Sequence, residues 1–181
     1  SSAVEALPGK PGWNKMYDLT EKNWPALTID PSVIASGSAM PIFNRAAVPS
    51  LGIFKTQFNW DTLFMARGMQ LQGQGPVVAG MADNLLSLLK ENGRVPNAAR
   101  SVYLNKSQPP ILPGLVRMSE RIREGREGKE RSGAWLGEAY GLMAKDYKEF
   151  WCKPGERGVT EIKGQNVTLA RWGGPNHKFA M

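Results

Sequence analysis

Four stretches between residues 61 and 151 carry apolar side chains at spacings of three and four, the period of one helix face. This spacing predicts a helix over Asp61–Leu71 and three further helices, whose apolar positions are Val78, Met81, Leu85 and Leu88; Ile111, Leu115, Met118 and Ile122; and Leu136, Tyr140, Met143 and Tyr147. Pro76 suits the first turn of the second helix, and Gly93 suits its end. The chain is therefore predicted to be all-α, with about four helices in two hairpins.

The two ends of the chain do not share this pattern. Residues 1–50 are rich in Pro, Gly, Ser and Ala without a sustained period, which predicts an irregular N-terminal arm with one short helical turn over Asp18–Asn23. Four large aromatics are expected to pin this arm to a neighbouring surface, and they are Trp13, Tyr17, Trp24 and Phe43. Near the other end, Val159–Ile162 and Val167–Ala170 flank a turn and predict a small C-terminal β-hairpin. Residues 51–181 are expected to form one domain.

Composition excludes several classes of function. The formal charge of +7 raises the question of nucleic acid, but the densest basic run, Arg117–Arg131, alternates with glutamates, as is typical of a solvated helix face and turn. Nucleic acid is therefore not the expected partner. A single cysteine, Cys152, and a single histidine, His177, exclude an internal disulfide, a His-dependent triad and a multi-His metal site. No metal or cofactor is expected. No segment has the pattern of a membrane span or signal peptide, and the compartment stays unknown.

Two stretches carry polar groups suited to a ligand. The first, Phe58–Phe64, places Trp60 and Asp61 at the mouth of a helix. There a Trp face can stack on a sugar ring, and a carboxylate can accept hydrogen bonds from two hydroxyls. The second, Gly93–Pro110, is a long loop that holds Asn, Arg, Lys and Gln near Tyr103. Together these stretches are expected to form half of a sugar pocket.

Each of these residues also has a purely structural interpretation. Trp60 can be a core aromatic, and Asp61 can be an acid favoured by the dipole at a helix N-terminus. Asn97 and Gln108 can serve only to hydrogen-bond the backbone of the loop. Taken singly, the residues leave both interpretations open.

Taken together, the two stretches resemble the trehalase family and related inverting α-glycosidases. Gly52–Asp61 follows a family motif in which Gly-Gly-Arg-Phe precedes alternating aromatics that end in Trp-Asp. Val95–Pro110 follows, without a gap, a motif that reads Ile-Pro-Asn-Gly-Asn-Arg, two aromatics and Ser-Gln-Pro-Pro. Tyr140–Trp151 is similar to a family helix that ends in Lys-Glu-Tyr-x-x-Trp. The resemblance spans roughly residues 50–172 and implies part of an (α/α)6 toroid, whose inner helices surround a sugar-binding pit.

The resemblance also implies which side chains bind the sugar. They are, from the two stretches in turn, Phe54, Trp60, Asp61, Asn97, Lys106 and Gln108. The first three would contact the glucosyl unit deepest in the pit. The chain departs from the family at four positions, where Ile53 and Lys106 replace arginines, Thr56 replaces a glutamate and Phe58 replaces a tyrosine. Because lysine lacks the bidentate fork of arginine, another α-glycoside, such as a glucosyl- or mannosyl-glycerate, fits at least as well as trehalose.

The expected catalytic groups are incomplete. A full toroid has twelve helices, and the resemblance implies that the general acid and base come from segments beyond Met181. Asp146 and Glu149 are interpreted as solvated helix surface. One hypothesis is therefore that the chain is the N-terminal part of a trehalase-like hydrolase, completed by a C-terminal part of the same protein or by a companion chain. The other is an inactive remnant that serves as a structural subunit of a larger assembly.

Overall fold

The computed structural model describes residues 11–31, 39–104, 106–153, 159–161, 164 and 168–170, and His177 lies outside these ranges. The α-helices within them are α1 (Pro11–Leu27), α2 (Asn59–Leu71), α3 (Gly75–Asn92), α4 (Leu112–Glu127) and α5 (Lys129–Asp146). The short strands are β1 (Thr28–Ile29), β2 (Ala46–Ala47), β3 (Val159–Glu161) and β4 (Thr168–Ala170). α5 continues directly into a π-helical turn over Tyr147–Trp151. Among the described residues, no helix combines the length and apolarity needed to cross a membrane.

The four helices predicted from the apolar spacing are present as α2 to α5, in two pairs. Gly73 lies in the turn between α2 and α3 with φ +76°, and Gly128 joins α4 to α5 with φ +87°, two values that favour glycine. α3 and α4 lie at the centre, because each contacts the other as well as α2 and α5, and α3 also contacts the segment around Ala46–Ala47. The core holds apolar side chains that the helical period predicts on α3 and α4, among them Val78, Met81, Leu85, Leu88 and Leu115. The face predicted for α5 is only partly right: Leu136 and Met143 pack against the core, whereas Tyr140 and Tyr147 are exposed and Ala139 is buried.

The N-terminal arm differs from its prediction, because Pro11–Leu27 forms one helix of 17 residues instead of a short turn. Trp24 is buried, and its indole N–H donates to the side chain of a glutamine just after α2. The Tyr17 hydroxyl donates over 3.2 Å to the last backbone carbonyl of α2. Tertiary contacts of this kind supply most of the stability of helices in proteins. The expected pinning of the arm is thus confirmed for these two aromatics, whereas Trp13 and Phe43 are exposed.

Two small antiparallel sheets accompany the helices. β1 pairs with β2, with Thr28 opposite Ala47, and holds the end of α1 against the segment that precedes α2. β3 pairs with β4, with Val159 opposite Ala170, which confirms the predicted C-terminal hairpin. Most of its turn lies outside the described residues.

The charged run Arg117–Arg131 is largely exposed, as predicted, but Arg123 turns inwards. Its guanidinium lies 4.6 Å from the centroid of the Trp135 ring and pairs with Asp83 and, at 3.3 Å, with Glu127. The Trp135 indole N–H donates to the same Asp83 carboxylate over 2.9 Å. This cluster ties α3, α4 and α5 together around one shared acid.

A pair of glycine substitutions tests how closely α3 packs on the segment before α2. A Cβ at Gly80 would lie 2.8 Å from the Cβ of Asn44, so Gly80→Ala is expected to lower the free energy of unfolding by about 1–3 kcal/mol. Gly137→Ala in exposed α5 meets no atom within 4 Å and is expected to raise it by about 0.5–1 kcal/mol. Urea unfolding followed by circular dichroism measures both. A stabilising Gly80→Ala would contradict this packing.

Candidate sugar-binding site

The two polar stretches of the sequence are brought together by backbone pairing. Phe58 and Ala98 form an isolated antiparallel bridge. The Asn59 N–H donates to the Asn97 carbonyl over 2.9 Å, and a second backbone bond of 2.9 Å flanks the bridge on its other side. This pairing holds the loop between α3 and α4 beside the first turn of α2.

The long loop is ordered by its own hydrogen bonds. The Asn97 N–H donates to the Lys106 carbonyl over 2.8 Å, and the Lys106 N–H donates to the Tyr103 carbonyl over 2.9 Å. Ser101–Tyr103 forms a short 3-10 turn. The Arg94 guanidinium donates to the backbone carbonyl of Leu104, the residue after this turn. The loop is therefore a folded wall beside α2.

An open pocket of about 240 Å³ lies between this loop and the start of α2. Its walls are Pro49, Phe54, Phe58, Trp60, Asp61, Asn97 and Gln108. Five of the six side chains expected to bind a sugar are thus in one place. Lys106 is outside this lining: it is exposed, and its Nζ lies 5.9 Å from the centroid of the Tyr103 ring. Sequence reasoning missed Pro49, because this residue belongs to the arm and to no recognised motif.

One wall of the pocket is aromatic. Phe54 packs edge-on against Phe58, with ring centroids 5.5 Å apart, and Phe58 contacts the Tyr103 ring at 6.0 Å. Phe54 remains 44% exposed, so part of its ring is accessible to a ligand. Aromatic rings of this kind can pack on the apolar C–H face of a sugar.

Trp60 and Gln108 show how the pocket is joined to α2. Trp60 is 37% exposed, so its interpretation as a core aromatic is wrong. Its backbone N–H donates to Gln108 Oε1 over 2.7 Å. Because N–H groups in the first turn of a helix have no partner within the helix, Gln108 satisfies one of them while it lines the pocket. Gln108 is interpreted from the sequence as a residue that can hydrogen-bond loop backbone, but the backbone N–H that it accepts from belongs to helix α2.

Asp61 and Asn97 line the pocket, and both side chains carry acceptor oxygens. Burial raises the pKa of Asp61 above the ordinary aspartate value, and hydrogen bonds from its own backbone N–H and from the Trp60 side chain oppose the rise. Asn97 Oδ1 is buried and accepts no hydrogen bond from the described residues. The interpretation that the Asn97 side chain serves only the loop backbone therefore does not hold for its oxygen. Both groups can accept hydrogen bonds from ligand hydroxyls.

Buried amides support the pocket from behind. Gln57 is fully buried, and its Nε2 donates to the Met81 carbonyl over 2.9 Å. Asn84 Nδ2 donates to Gln57 Oε1 over 3.0 Å, and Asn84 Oδ1 accepts from the backbone N–H groups of Phe43 and Asn44. Sequence reasoning missed this network. The available signal was an asparagine within the apolar stripe of α3.

Asp146 and Glu149, two carboxylates outside the pocket, differ in their exposure to solvent. Glu149 is exposed and lies 3.9 Å from Lys145, which confirms its interpretation as solvated surface. The same interpretation is wrong for Asp146, which is partly buried and accepts from Trp151 Nε1 over 3.2 Å. Burial raises the pKa of Asp146 to about 6, against the Trp151 hydrogen bond and the charge of Arg94. The interpretation as solvated surface failed because Tyr147–Trp151 forms a π-helical turn, which brings Trp151 back to Asp146. An α-helical period does not predict such a turn.

Two negative findings concern the described part of the chain. Asp61 is the one carboxylate among the residues that line the pocket. In the ranges described, no cluster of three or more His, Cys, Asp or Glu side chains could hold a metal ion. The pocket therefore has binding groups but a single acid.

Comparisons with known proteins bear on the family and the fold of the chain. A family model described as Trehalase matches residues 16–180. The chain is 36% identical over 126 residues to the periplasmic trehalase of Pseudomonas aeruginosa, which covers 69% of this chain and 23% of that protein. It is 39% identical over 79 residues to the trehalase of Tenebrio molitor, which covers 44% of this chain and 14% of that protein. The neutral trehalase Nth1 of Saccharomyces cerevisiae matches in structure with a TM-score of 0.52 at 31% identity, covering 57% of this chain and 18% of that one.

The chain spans less than a quarter of the length of these relatives. Its helix pairs fit part of a trehalase-like helical toroid, which confirms the fold expected from the motifs. The family match covers nearly the whole chain, and all the residues that line the pocket except Pro49 belong to the two motifs that carried the resemblance. The chain belongs to the trehalase family and represents part of a trehalase-like glycoside hydrolase domain.

Proposed function

We propose that this chain is the N-terminal part of a trehalase-like α-glycoside hydrolase and forms the half of its pocket that binds a glucosyl unit. The observation that carries the proposal is the pairing of Phe58 with Ala98, because it sets Trp60, Asp61 and Asn97 around one pocket. A volume of about 240 Å³ lies below the usual range for sites of drug-sized ligands, which favours one sugar ring over an oligosaccharide.

Each wall of the pocket has a role in this proposal. The Trp60 ring stacks on the C–H face of the sugar, while its N–H edge stays near Asp61. The Asp61 carboxylate accepts hydrogen bonds from two neighbouring hydroxyls, and Asn97 Oδ1 accepts one more. Charge-assisted bonds of the first kind are the stronger ones, so Asp61 is expected to contribute most to affinity.

The charge of the lining bears on the class of substrate. Among the described residues, no lysine or arginine lines the pocket. Ile53, which stands where the resemblance implies an arginine, is 81% exposed. A neutral glucosyl ring is therefore the moiety that this half takes, either from trehalose or from another α-glucoside such as a glucosyl-glycerate.

Hydrolysis needs groups beyond those described. Inverting glycosidases use two carboxyl groups about 6.5–9.5 Å apart, with a water between them. We therefore place the general acid and base on a C-terminal part of the same protein or on a companion chain. Exposed apolar side chains on α2 and α5 provide surface that such a part would cover, and they are Phe64, Leu71 and Tyr140.

The single acid in the pocket also favours a second candidate. An inactive remnant, acting as a structural subunit, would keep the exposed apolar faces for its assembly and would not need to bind sugar. Titration of the native protein with trehalose and glucose distinguishes the two. Binding supports the working pocket, and its absence in the native assembly supports the remnant.

A tryptophan pair sharpens this titration. Trp60→Ala is expected to weaken sugar binding about tenfold, because it removes a stacking surface worth roughly 0.5–1.5 kcal/mol beyond its buried area. Trp13→Ala is the matched control, since Trp13 is 59% exposed on α1 and does not line the pocket. Isothermal titration calorimetry measures both. Equal affinity in the two variants would remove Trp60 from the proposed site.

A further inference from the structure

A second, smaller cavity of about 40 Å³ shares Gln108 with the sugar pocket. It lies where the first residue of α2, the long loop, the start of α4 and the π-helical turn meet. The side chains that decide its chemistry are Asn59, Arg94, Gln108, Asp146, Phe150 and Trp151. This volume is far below that of ligand pockets, so the occupant is smaller than a sugar.

Two residues that line this cavity each carry a buried oxygen atom that has no donor among the described residues. Asn59 is 3% exposed, and its Oδ1 accepts no hydrogen bond from the described residues. Asp146 Oδ1 likewise accepts no hydrogen bond from the described residues, while Oδ2 of the same carboxylate accepts from Trp151 Nε1. An amide oxygen and an ionised carboxylate oxygen are both acceptors, so neither satisfies the other. A buried acceptor without a donor lowers stability, and the site therefore favours a small donor from solvent.

The charges around the cavity also favour a neutral donor. Arg94 is the one cationic side chain among the described residues of its lining, and the lining residues from α2 and α4 carry no charge. On the α5 side, Lys145 and Glu149 are exposed and pair with each other. Burial raises the pKa of Asp146, while the Trp151 hydrogen bond and the Arg94 charge oppose that rise. Because Arg94 already supplies a positive charge, a second cation here would be repelled.

We propose that this cavity binds one water molecule, which donates one hydrogen to Asn59 Oδ1 and the other to Asp146 Oδ1. The volume exceeds the roughly 10–15 Å³ that a buried water needs. Gln108 can supply a third contact: its Oε1 accepts from the Trp60 N–H, and its NH2 group can donate to the water oxygen. Buried waters make about three such bonds.

The water makes Asp146 a positioning residue for the sugar pocket. It links the end of α5 to Asn59, which directly precedes Trp60 and Asp61 in the first turn of α2. Through this link, the π-helical turn holds the pocket side chains in place. The positioning role rests on the proposed function, whereas the water site does not.

A high-resolution crystal structure tests the water directly. The expected result is a single solvent peak within hydrogen-bonding distance of both Asn59 Oδ1 and Asp146 Oδ1. An empty cavity, a direct hydrogen bond between the two side chains, or a peak with the short contacts of a metal ion would overturn the proposal. This test uses the unsubstituted protein, so it stands even if a variant fails to fold.

Carboxyl NMR titration of Asp146 gives a second test. Asn59→Leu removes one acceptor and fills the cavity, so ionised Asp146 loses its donor and its titration midpoint is expected to move to higher pH. Asn23→Leu changes an exposed asparagine of α1 and is expected to leave the midpoint unchanged. A midpoint that stays or falls in folded Asn59→Leu contradicts the water bridge.

The positioning role has its own readout. The trehalose affinity of the unsubstituted protein is expected to change near the midpoint of Asp146, and Asp146→Asn is expected to remove that part of the pH profile. Binding with an identical pH profile in the variant would overturn the positioning role. If no sugar binds while the water peak is present, the proposed function fails and the water site stands.

Discussion

Replacing Asp61 with alanine is expected to weaken sugar binding by this protein about a hundredfold. The carboxylate lines the pocket and is expected to form two charge-assisted hydrogen bonds to hydroxyls of the sugar. At about 1.5 kcal/mol each, their loss amounts to about 3 kcal/mol, or about a hundredfold in Kd. Calorimetric titration with trehalose and glucose measures the effect. Asp61→Asn keeps the shape and loses the charge, so an intermediate loss is expected.

Asp18→Ala is the matched control for this substitution. Asp18 is an exposed carboxylate on α1 and does not line the pocket, so its removal is expected to leave sugar affinity unchanged. Affinity is also expected to depend on pH in a defined direction. Because burial raises the pKa of Asp61, the ionised acceptor is lost as pH falls, at a higher pH than for an ordinary aspartate. Undiminished binding by a folded Asp61→Ala protein would exclude Asp61 from the site.

Replacing Asn84 with leucine is expected to lower the free energy of unfolding by about 3–5 kcal/mol, the largest effect on stability predicted for this chain. The change leaves the N–H groups of Phe43 and Asn44 and the side-chain oxygen of buried Gln57 without their partner. A fully buried polar group left unpaired, such as the Gln57 oxygen, costs about 1–3 kcal/mol, and the partly buried N–H groups of Phe43 and Asn44 each add less. Urea unfolding followed by circular dichroism measures the loss.

Asn23→Leu again serves as the control, because Asn23 is exposed and its amide bonds only to a carbonyl one turn back in α1. Its effect is expected to stay within about 0.5 kcal/mol. A loss below about 1 kcal/mol for Asn84→Leu would mean that water replaces the missing bonds. The network would then not be what supports the segment from Gln57 into α2.

The sequence predicted the two helical pairs well and the arm poorly. The apolar period of α3 and α4 marks a face that must be buried, so both helices can be predicted from the sequence alone. α1 also carries apolar side chains at helical spacing, among them Tyr17, Trp24 and Leu27, but Pro25 and the Pro- and Gly-rich flanks hid this pattern from sequence reasoning. Only the structure decided what this face contacts, because Tyr17 and Trp24 bond to the end of α2, more than 40 residues away.

Asp146 shows the same limit on a single side chain. Its spacing from neighbouring residues is that of a solvated helix face, and its neighbour Glu149 is indeed exposed. The π-helical turn adds one residue to the local repeat and folds Trp151 over the carboxylate. The loop before α4 lines the same cavity as both residues. Neither event is visible in the apolar spacing.

The amino-acid order by itself determined that Trp60 and Asp61 begin a helix and that Asn97 and Gln108 lie in a long polar loop, because local spacing and turn residues carry that information. It also carried the family motifs. Only the tertiary structure decided that these residues share one pocket, that Lys106 lies outside it and that Pro49 joins it. The reason is that the bridge between Phe58 and Ala98 joins positions 40 residues apart. Backbone hydrogen bonds use groups that almost every residue has, so the side chains do not reveal which residues are paired.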